Sequence, residues 1–279
     1  MARECRRVIE ISRRPYAYRT SHRLDELEFV QPDGTQLKLL LKDLRRSELG
    51  PARRVKPRLV HNPRREVEAY RVLADANLGT PICHNSGKHW LLLEKVQGVE
   101  LWQVGELATW VDVARWLAAF HDHFASKPPS SVALLDYDAP FFRLWPERAR
   151  RRHPELRRVL SGYDRVIKLL ISQRRTLIHG EFYASNILVA GSRIAPVDWE
   201  MAGMGPAVLD LAALLSGWGD SERTAIAAGY GGVSSEVLSA AQLHLALQWL
   251  GWSADWTPPP EHARDWLVEA LAAAERLGL

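Results

Sequence analysis

Apolar and polar positions change their period once along this chain. Near the start, apolar residues fall in short runs, Arg7 to Ser12, Leu27 to Gln31 and Leu37 to Leu41, with Pro32-Asp33-Gly34 between the last two. Short runs bounded by turn residues predict strands, and three in succession predict a small antiparallel sheet. A helix is predicted over roughly Pro63 to Ala76, with Asn62 as N-cap, Pro63 at the first position and closure near Gly79. Its apolar positions Val67, Tyr70 and Leu73 recur at helical spacing, leaving Glu66 and Glu68 for other faces. Residues 90–98, WLLLEKVQG, read as a buried strand ending in a turn at Gly98. From Glu106 the pattern is helical, with Leu107, Trp110, Val111, Ala114, Leu117, Ala118, His121 and Phe124 on one face. Further helices are predicted near 147–160, 162–173, 207–218, 221–229, 235–250 and 260–277, interrupted by a loop from Asp255 to Pro260. The switch near residue 98 is the one candidate boundary. It divides a β-rich part, 1–97, from a helical part, 98–279.

One stretch of the helical part departs from that pattern. Residues 177–200 read LIHGEFYASNILVAGSRIAPVDWE, with apolar runs at Ile187 to Val189 and Ile194 to Val197 around a turn at Ala190, Gly191 and Ser192. They predict a β-hairpin that brings Asn186 and Asp198 to the same end. An amide oxygen and a carboxylate are hard ligands suited to Mg²⁺, which takes few protein oxygens and completes its shell with water and phosphate. Glu181 precedes Asn186 by five residues, on the loop leading into the hairpin, placed to face a hydroxyl attacking phosphorus. Phosphoryl transfer needs little more than such a carboxylate and metal-held charge on the transferred group. Any one of these residues alone reads as a turn cap; the ordered set with its spacing favours a site.

The segment resembles the catalytic and metal-binding loops of the aminoglycoside phosphotransferase family, small-molecule kinases with a protein-kinase-like fold. His179, Gly180, Asn186, Asp198, Trp199 and Glu200 carry the resemblance, continued by Gly205-Pro206 and Asp210-Leu211-Ala212. The departure is Glu181, where the family usually has Asp. The added methylene matters, because a misplacement of about 1 Å can cost on the order of 100-fold in rate.

The resemblance implies a two-lobed α+β fold, a small antiparallel sheet followed by a helical lobe, using ATP, or GTP in its place, with Mg²⁺. Lys42 would hold nucleotide phosphates, with Lys38 as competitor. Glu66 would orient Lys42, with Glu68 the other possible partner. No Gly-rich phosphate loop is present; Tyr18, Arg19, Thr20, Ser21 and His22 occupy its place, and Ser21 would offer donors to phosphate. Glu94, Lys95 and Val96 would pass the base and read it through backbone groups. Glu181 would act as base, His179 would hold the catalytic loop, Asn186 and Asp198 would bind metal, and Asp210 would support the loop by hydrogen bonds. Glu200 would either support the metal Asp or face a substrate amine. Only eleven residues separate Asp198 from Asp210, too few for the peptide-docking segment of protein kinases, so the expected acceptor is the hydroxyl of a small molecule. A nucleotide- or metabolite-binding protein that has lost phosphoryl transfer is the alternative.

Composition adds limits. At 47% apolar and 25% charged residues the chain reads as a soluble globular protein. Cys5 and Cys83 are too few for a disulfide framework, and no apolar stretch suggests a leader or membrane span, so the expectation is cytoplasmic. The formal charge of +4 hides a cluster at Arg143, Arg148, Arg150, Arg151, Arg152, Arg157 and Arg158, read as a solvated helix face. Without aromatic interleaving or a recognised module it does not predict a nucleic-acid partner. An acidic site for a polycationic acceptor finds no support in this charge balance.

Overall fold

The computed structural model describes residues 10–16, 22–30, 32–49, 57–252 and 264–279. The first three predicted strands are present: β1 Glu10–Pro15 is displaced three residues along from its apolar run, and β2 Arg23–Val30 and β3 Gln36–Asp43 are longer than theirs. The strands take in charged positions because these pair between β1 and β2. Arg13 opposes Leu27 yet bonds Asp25, and Arg14 opposes Glu26 and bonds it. Helix α1, Pro63–Ala74, starts as its cap predicts, with the Asn62 side chain accepting from Arg64 N–H at 3.1 Å. Strands β4 Cys83–Gly87 and β5 Trp90–Glu94 complete a five-stranded antiparallel sheet in the order β1-β2-β3-β5-β4.

The buried face of α1 differs from the predicted one. Glu66, Ala69, Tyr70 and Leu73 are buried, while Val67 is only partly so. Glu66, Tyr70 and Leu73 stand at i, i+4 and i+7, so the same 3.6-residue period places the carboxylate inward once it has a buried partner. That partner comes from β3.

A short strand β6, Val99–Glu100, leads to α2, Leu107–Ser126, whose Trp110, Ala114, Leu117, Phe120, His121 and Phe124 are buried. After β7, Leu135–Asp136, the expected helix 147–160 is replaced by α3, Ala139–Ala149, and α4, Arg157–Ser161. The overlooked signal is Asp138, whose carboxylate caps Phe141 N–H at 2.8 Å, with Pro140 in the first turn. Pro154 then separates the two helices, since it cannot donate into a continuing one. The arginine run spans this break, with Arg150, Arg151, Arg152, Arg157 and Arg158 exposed. Arg148 instead turns inward.

Helix α5, Tyr163–Ile171, and strand β8, Arg175–Ile178, precede the predicted hairpin, which forms as β9 Ile187–Ala190 and β10 Arg193–Pro196. Strand β11, Gly203–Pro206, lies between β7 and β8 in a small sheet that the sequence did not suggest, because its GMGP carries no alternation. Then follow α6 Val208–Leu214, α7 Asp220–Tyr230, α8 Ser235–Trp252 and α9 Trp266–Arg276. The predicted loop Asp255 to Pro260 lies outside the described residues. Helix α8 is apolar on nearly every side, packing against α3, α5, α6 and α9, and Arg148 donates to its last carbonyls, Gly251 O at 2.6 Å and Trp252 O at 2.8 Å. Among the described residues no helix is long and apolar enough to cross a membrane.

Candidate active site

Strand β8 ends at Ile178 and the chain turns through His179, Gly180 and Glu181 under tight backbone control. Asp210, fully buried at the start of α6, accepts His179 N–H at 2.7 Å and Gly180 N–H at 2.8 Å. Gly180 has φ +82, and a Cβ there would stand 2.1 Å from Tyr137 Oη and 2.5 Å from Met201 O, so only glycine fits. The His179 ring donates from Nε2 to Val197 O at 2.8 Å and accepts Glu181 N–H on Nδ1 at 3.3 Å. Burial lowers its pKa, consistent with this neutral, single-donor arrangement. His179 therefore ties the Glu181 backbone to the residue just before Asp198.

The hairpin makes the second tie. Val197 N–H donates to Asn186 O at 2.8 Å, one step beyond the β9–β10 ladder, which sets Asn186 beside Asp198. Asn186 Nδ2 donates to Glu181 O at 2.9 Å, so the amide oxygen is the atom it offers to a cation. Asp198 has φ 63 and ψ 64, a left-handed conformation rare for a residue with a side chain. Such a conformation persists only where the surroundings fix it, and it is common at functional sites. Trp199 supplies part of that fixing: fully buried, it donates to Pro196 O at 3.1 Å and packs on the His179 ring at 4.4 Å.

From the sheet, Lys42 reaches across to this loop. Its Nζ lies 2.7 Å from Glu66 Oε1 and 2.7 Å from Asp198 Oδ1. Lys38, the competing lysine, pairs with Glu28 at 3.7 Å, and Glu68 pairs with Arg71 on the helix surface. Burial opposes the charge on Lys42, but the carboxylates of Asp198, Glu66 and Glu200 outweigh it and hold the ammonium charged far above its ordinary range. Burial also raises Glu66, against the pull of Lys42. Two oxygen donors, Asn186 and Asp198, fit Mg²⁺ better than a preformed cage would, since this ion keeps water and phosphate oxygens in its shell. Among the described residues no group of three or more His, Cys, Asp or Glu converges to hold a metal.

The sequence profile of the phosphotransferase enzyme family matches residues 29–250. The chain belongs to this family. Solved structures of the same fold include the choline kinase LicA from Streptococcus pneumoniae, 14% identical, covering 97% of this chain and 94% of that one at a TM-score of 0.65. The macrolide 2'-phosphotransferase MphH from Brachybacterium faecium is 16% identical, with 95% and 91% coverage and a TM-score of 0.60. A GDP complex of aminoglycoside 2'-phosphotransferase-IIIa is 15% identical, with 97% and 92% coverage and a TM-score of 0.60. The comparison with curated proteins found no match.

In this phosphotransferase-family chain the end of β5 and the segment that follows it are braced from both sides. Glu94 N–H donates to Ile82 O at 2.8 Å, and its carboxylate takes a two-pronged contact from Arg193 at 2.6 Å and 2.8 Å. The Arg193 hydrogen bond holds Glu94 below the ordinary carboxylate range. Arg193 also donates to Gly79 O at 2.8 Å, pinning the hairpin to the sheet side. Lys95 pairs with the buried carboxylate of Glu26 and stands 5.3 Å from the centre of the Tyr16 ring. These side chains thus brace the segment, and the backbone of Val96 follows them. Ser21, with Tyr18, Arg19 and Thr20, lies outside the described residues.

Four contributors escaped sequence reading. Arg65 is buried on α1 and donates to Val60 O at 2.7 Å and Glu200 O at 2.8 Å. Tyr137 donates to Met201 O at 2.7 Å. His121, on the apolar face of the predicted helix, faces Asp210 Oδ2 at 3.2 Å and Tyr230 Oη at 2.9 Å, placing it beneath the His179–Glu181 loop. His22 faces Glu200 at 3.3 Å. Only Arg65 carried a signal: it lies next to Glu66 and one turn before Ala69 on the face that turned out buried.

Proposed function

We propose that this protein transfers the γ-phosphoryl group of ATP, as its Mg²⁺ complex, to a hydroxyl of a small molecule. The observation that carries the reading is the convergence of Lys42, Glu66 and Asp198 at 2.7 Å contacts, beside Asn186 and the Glu181 loop. Residues 1–97 form the nucleotide side and 98–279 the catalytic and acceptor side. Lys42 holds phosphate oxygens as a point charge, kept cationic by Glu66. Asn186 Oδ1 and Asp198 hold Mg²⁺, whose chemistry is to neutralise charge on the transferred group. Glu181 orients the acceptor hydroxyl and takes its proton. Val96 and its neighbours line the base; the fold's AMP and GDP complexes in LicA and aminoglycoside 2'-phosphotransferase-IIIa leave the choice between ATP and GTP to measurement.

The silent-binder alternative rests on Glu181 standing for Asp. Replacing Glu181 by Asp separates the two. A working enzyme adapted to Glu loses rate, on the order of 10- to 100-fold in Mg²⁺-dependent ADP formation with an accepted hydroxyl compound, because the carboxylate retreats by about one methylene. A gain of activity, or silence in both proteins across a broad panel of hydroxylated acceptors, contradicts the proposal.

A further inference from the structure

His22 opens the edge of the sheet nearest Lys42, since the ladder pairs Arg23 with Asp43 and Leu24 with Lys42. The ring is buried, with 5% exposed. Its Nδ1 lies 3.1 Å from Asp43 O and its Nε2 lies 3.3 Å from Glu200 Oε2. Both partners are acceptor oxygens, so the ring bridges the backbone of β3 to the loop that carries Asp198. The same Glu200 gives its carbonyl to Arg65 at 2.8 Å. The residue two beyond Asp198 is therefore gripped twice from the sheet side, once by side chain and once by backbone.

That grip coincides with strain. Asp198 sits at φ 63, a left-handed conformation that is costly for a residue with a Cβ and persists only where its surroundings impose it. Trp199 is fixed from below by Pro196 O and the His179 ring. Glu200 is fixed from above by His22 and Arg65. The carboxylate of Glu200, only 13% exposed, faces His22, which places it in support of the metal loop and not toward a substrate amine. We infer that His22 is a positioning residue: through Glu200 it holds Asp198 in the conformation that binds metal-nucleotide. This rests on the proposed phosphotransfer reading and adds to it a residue outside the recognised motifs.

The test has two arms. The first needs no nucleotide: thermal unfolding of wild type, His22→Leu, Glu200→Gln and the double variant. Each single variant is expected to melt about 2–4 °C lower, and the double no lower than the worse single, because both remove one interaction. The second arm measures binding of a non-hydrolysable ATP analogue with Mg²⁺ and with EDTA. The single variants are expected to weaken Mg²⁺-dependent binding about tenfold and to leave metal-free binding unchanged, and His22→Gln, whose amide keeps a donor toward Glu200, to recover part of the loss. Additive melting losses, or equal weakening with and without metal, would overturn the inference. Coupled melting with unchanged Mg²⁺ binding would reduce His22 to a structural contact and overturn it as well. Failure of the wild type to bind nucleotide under either condition would instead sink the phosphotransfer reading, with the melting cycle still reporting whether the latch exists.

Discussion

Asp210→Asn tests the support of the catalytic loop without changing the size of any side chain. In the native protein Oδ2 accepts His179 N–H at 2.7 Å and Oδ1 accepts Gly180 N–H at 2.8 Å, in a fully buried site. An asparagine has one acceptor oxygen, so either orientation of its amide turns an NH₂ donor toward one of the two N–H groups. The orphaned buried donor costs about 1–3 kcal/mol, and the remaining bond loses its charge assistance, worth about 1 kcal/mol more. A loss near 3 kcal/mol corresponds to a melting temperature lower by roughly 6–12 °C for a chain of this size. Loop displacement should also reduce Mg²⁺-dependent ATP hydrolysis, on the order of 100-fold for a shift of about 1 Å at Glu181. Metal-free nucleotide binding should survive, because Lys42 and the segment after β5 are untouched. Differential scanning fluorimetry and an ADP-release assay measure both quantities. A variant that melts within about 2 °C of wild type and hydrolyses ATP normally would refute this account of Asp210.

Two further perturbations follow from the same geometry. Gly180→Ala combines a φ of +82 with a Cβ 2.1 Å from Tyr137 Oη, so it should destabilise by about 2–4 kcal/mol in denaturant titration and abolish activity; wild-type behaviour would mean that the turn relaxes freely. Burial depresses His244 to about 3 from an ordinary 6.5. Between those values the unfolded chain binds a proton that the folded one refuses, so stability is complete above 6.5 and falls as pH drops, by up to about 1.4 kcal/mol per pH unit. Removing the group in His244→Gln should flatten the acid side of the melting-temperature profile, and parallel profiles for the two proteins would contradict the assignment.

The two-lobed order of elements was legible because short strand-like runs dominate the first part of the chain and helical spacing the second. The hairpin at 187–196 was legible because its turn, its apolar runs and its ordered polar residues coincide in one short stretch. What escaped has a common cause: contacts between residues far apart in sequence. Glu66 was placed off the buried face because a carboxylate reads as solvent-facing until Lys42, 24 residues earlier, supplies its partner. Arg65 and His22 act on Glu200 from more than a hundred residues away, and only Arg65, beside Glu66 on the buried face of α1, carries a local mark. Strand β11 lacks any alternation, and its pairing follows from the approach of β7 and β8 at glycines 203 and 205, where a Cβ would meet neighbours at 2.5 Å and 2.8 Å. The misplaced helix at 147–160 is a different failure, since Asp138 and Pro140 announced the start and Pro154 the break.

The most direct test of the central claim is binding of ATP with and without Mg²⁺, and slow hydrolysis, in the wild type beside Asp198→Ala. The account predicts metal-dependent binding and measurable hydrolysis in the wild type, both lost in the variant while metal-free binding through Lys42 persists. Equal nucleotide affinity with and without Mg²⁺ in the wild type, or hydrolysis unaffected by loss of the Asp198 carboxylate, would contradict it.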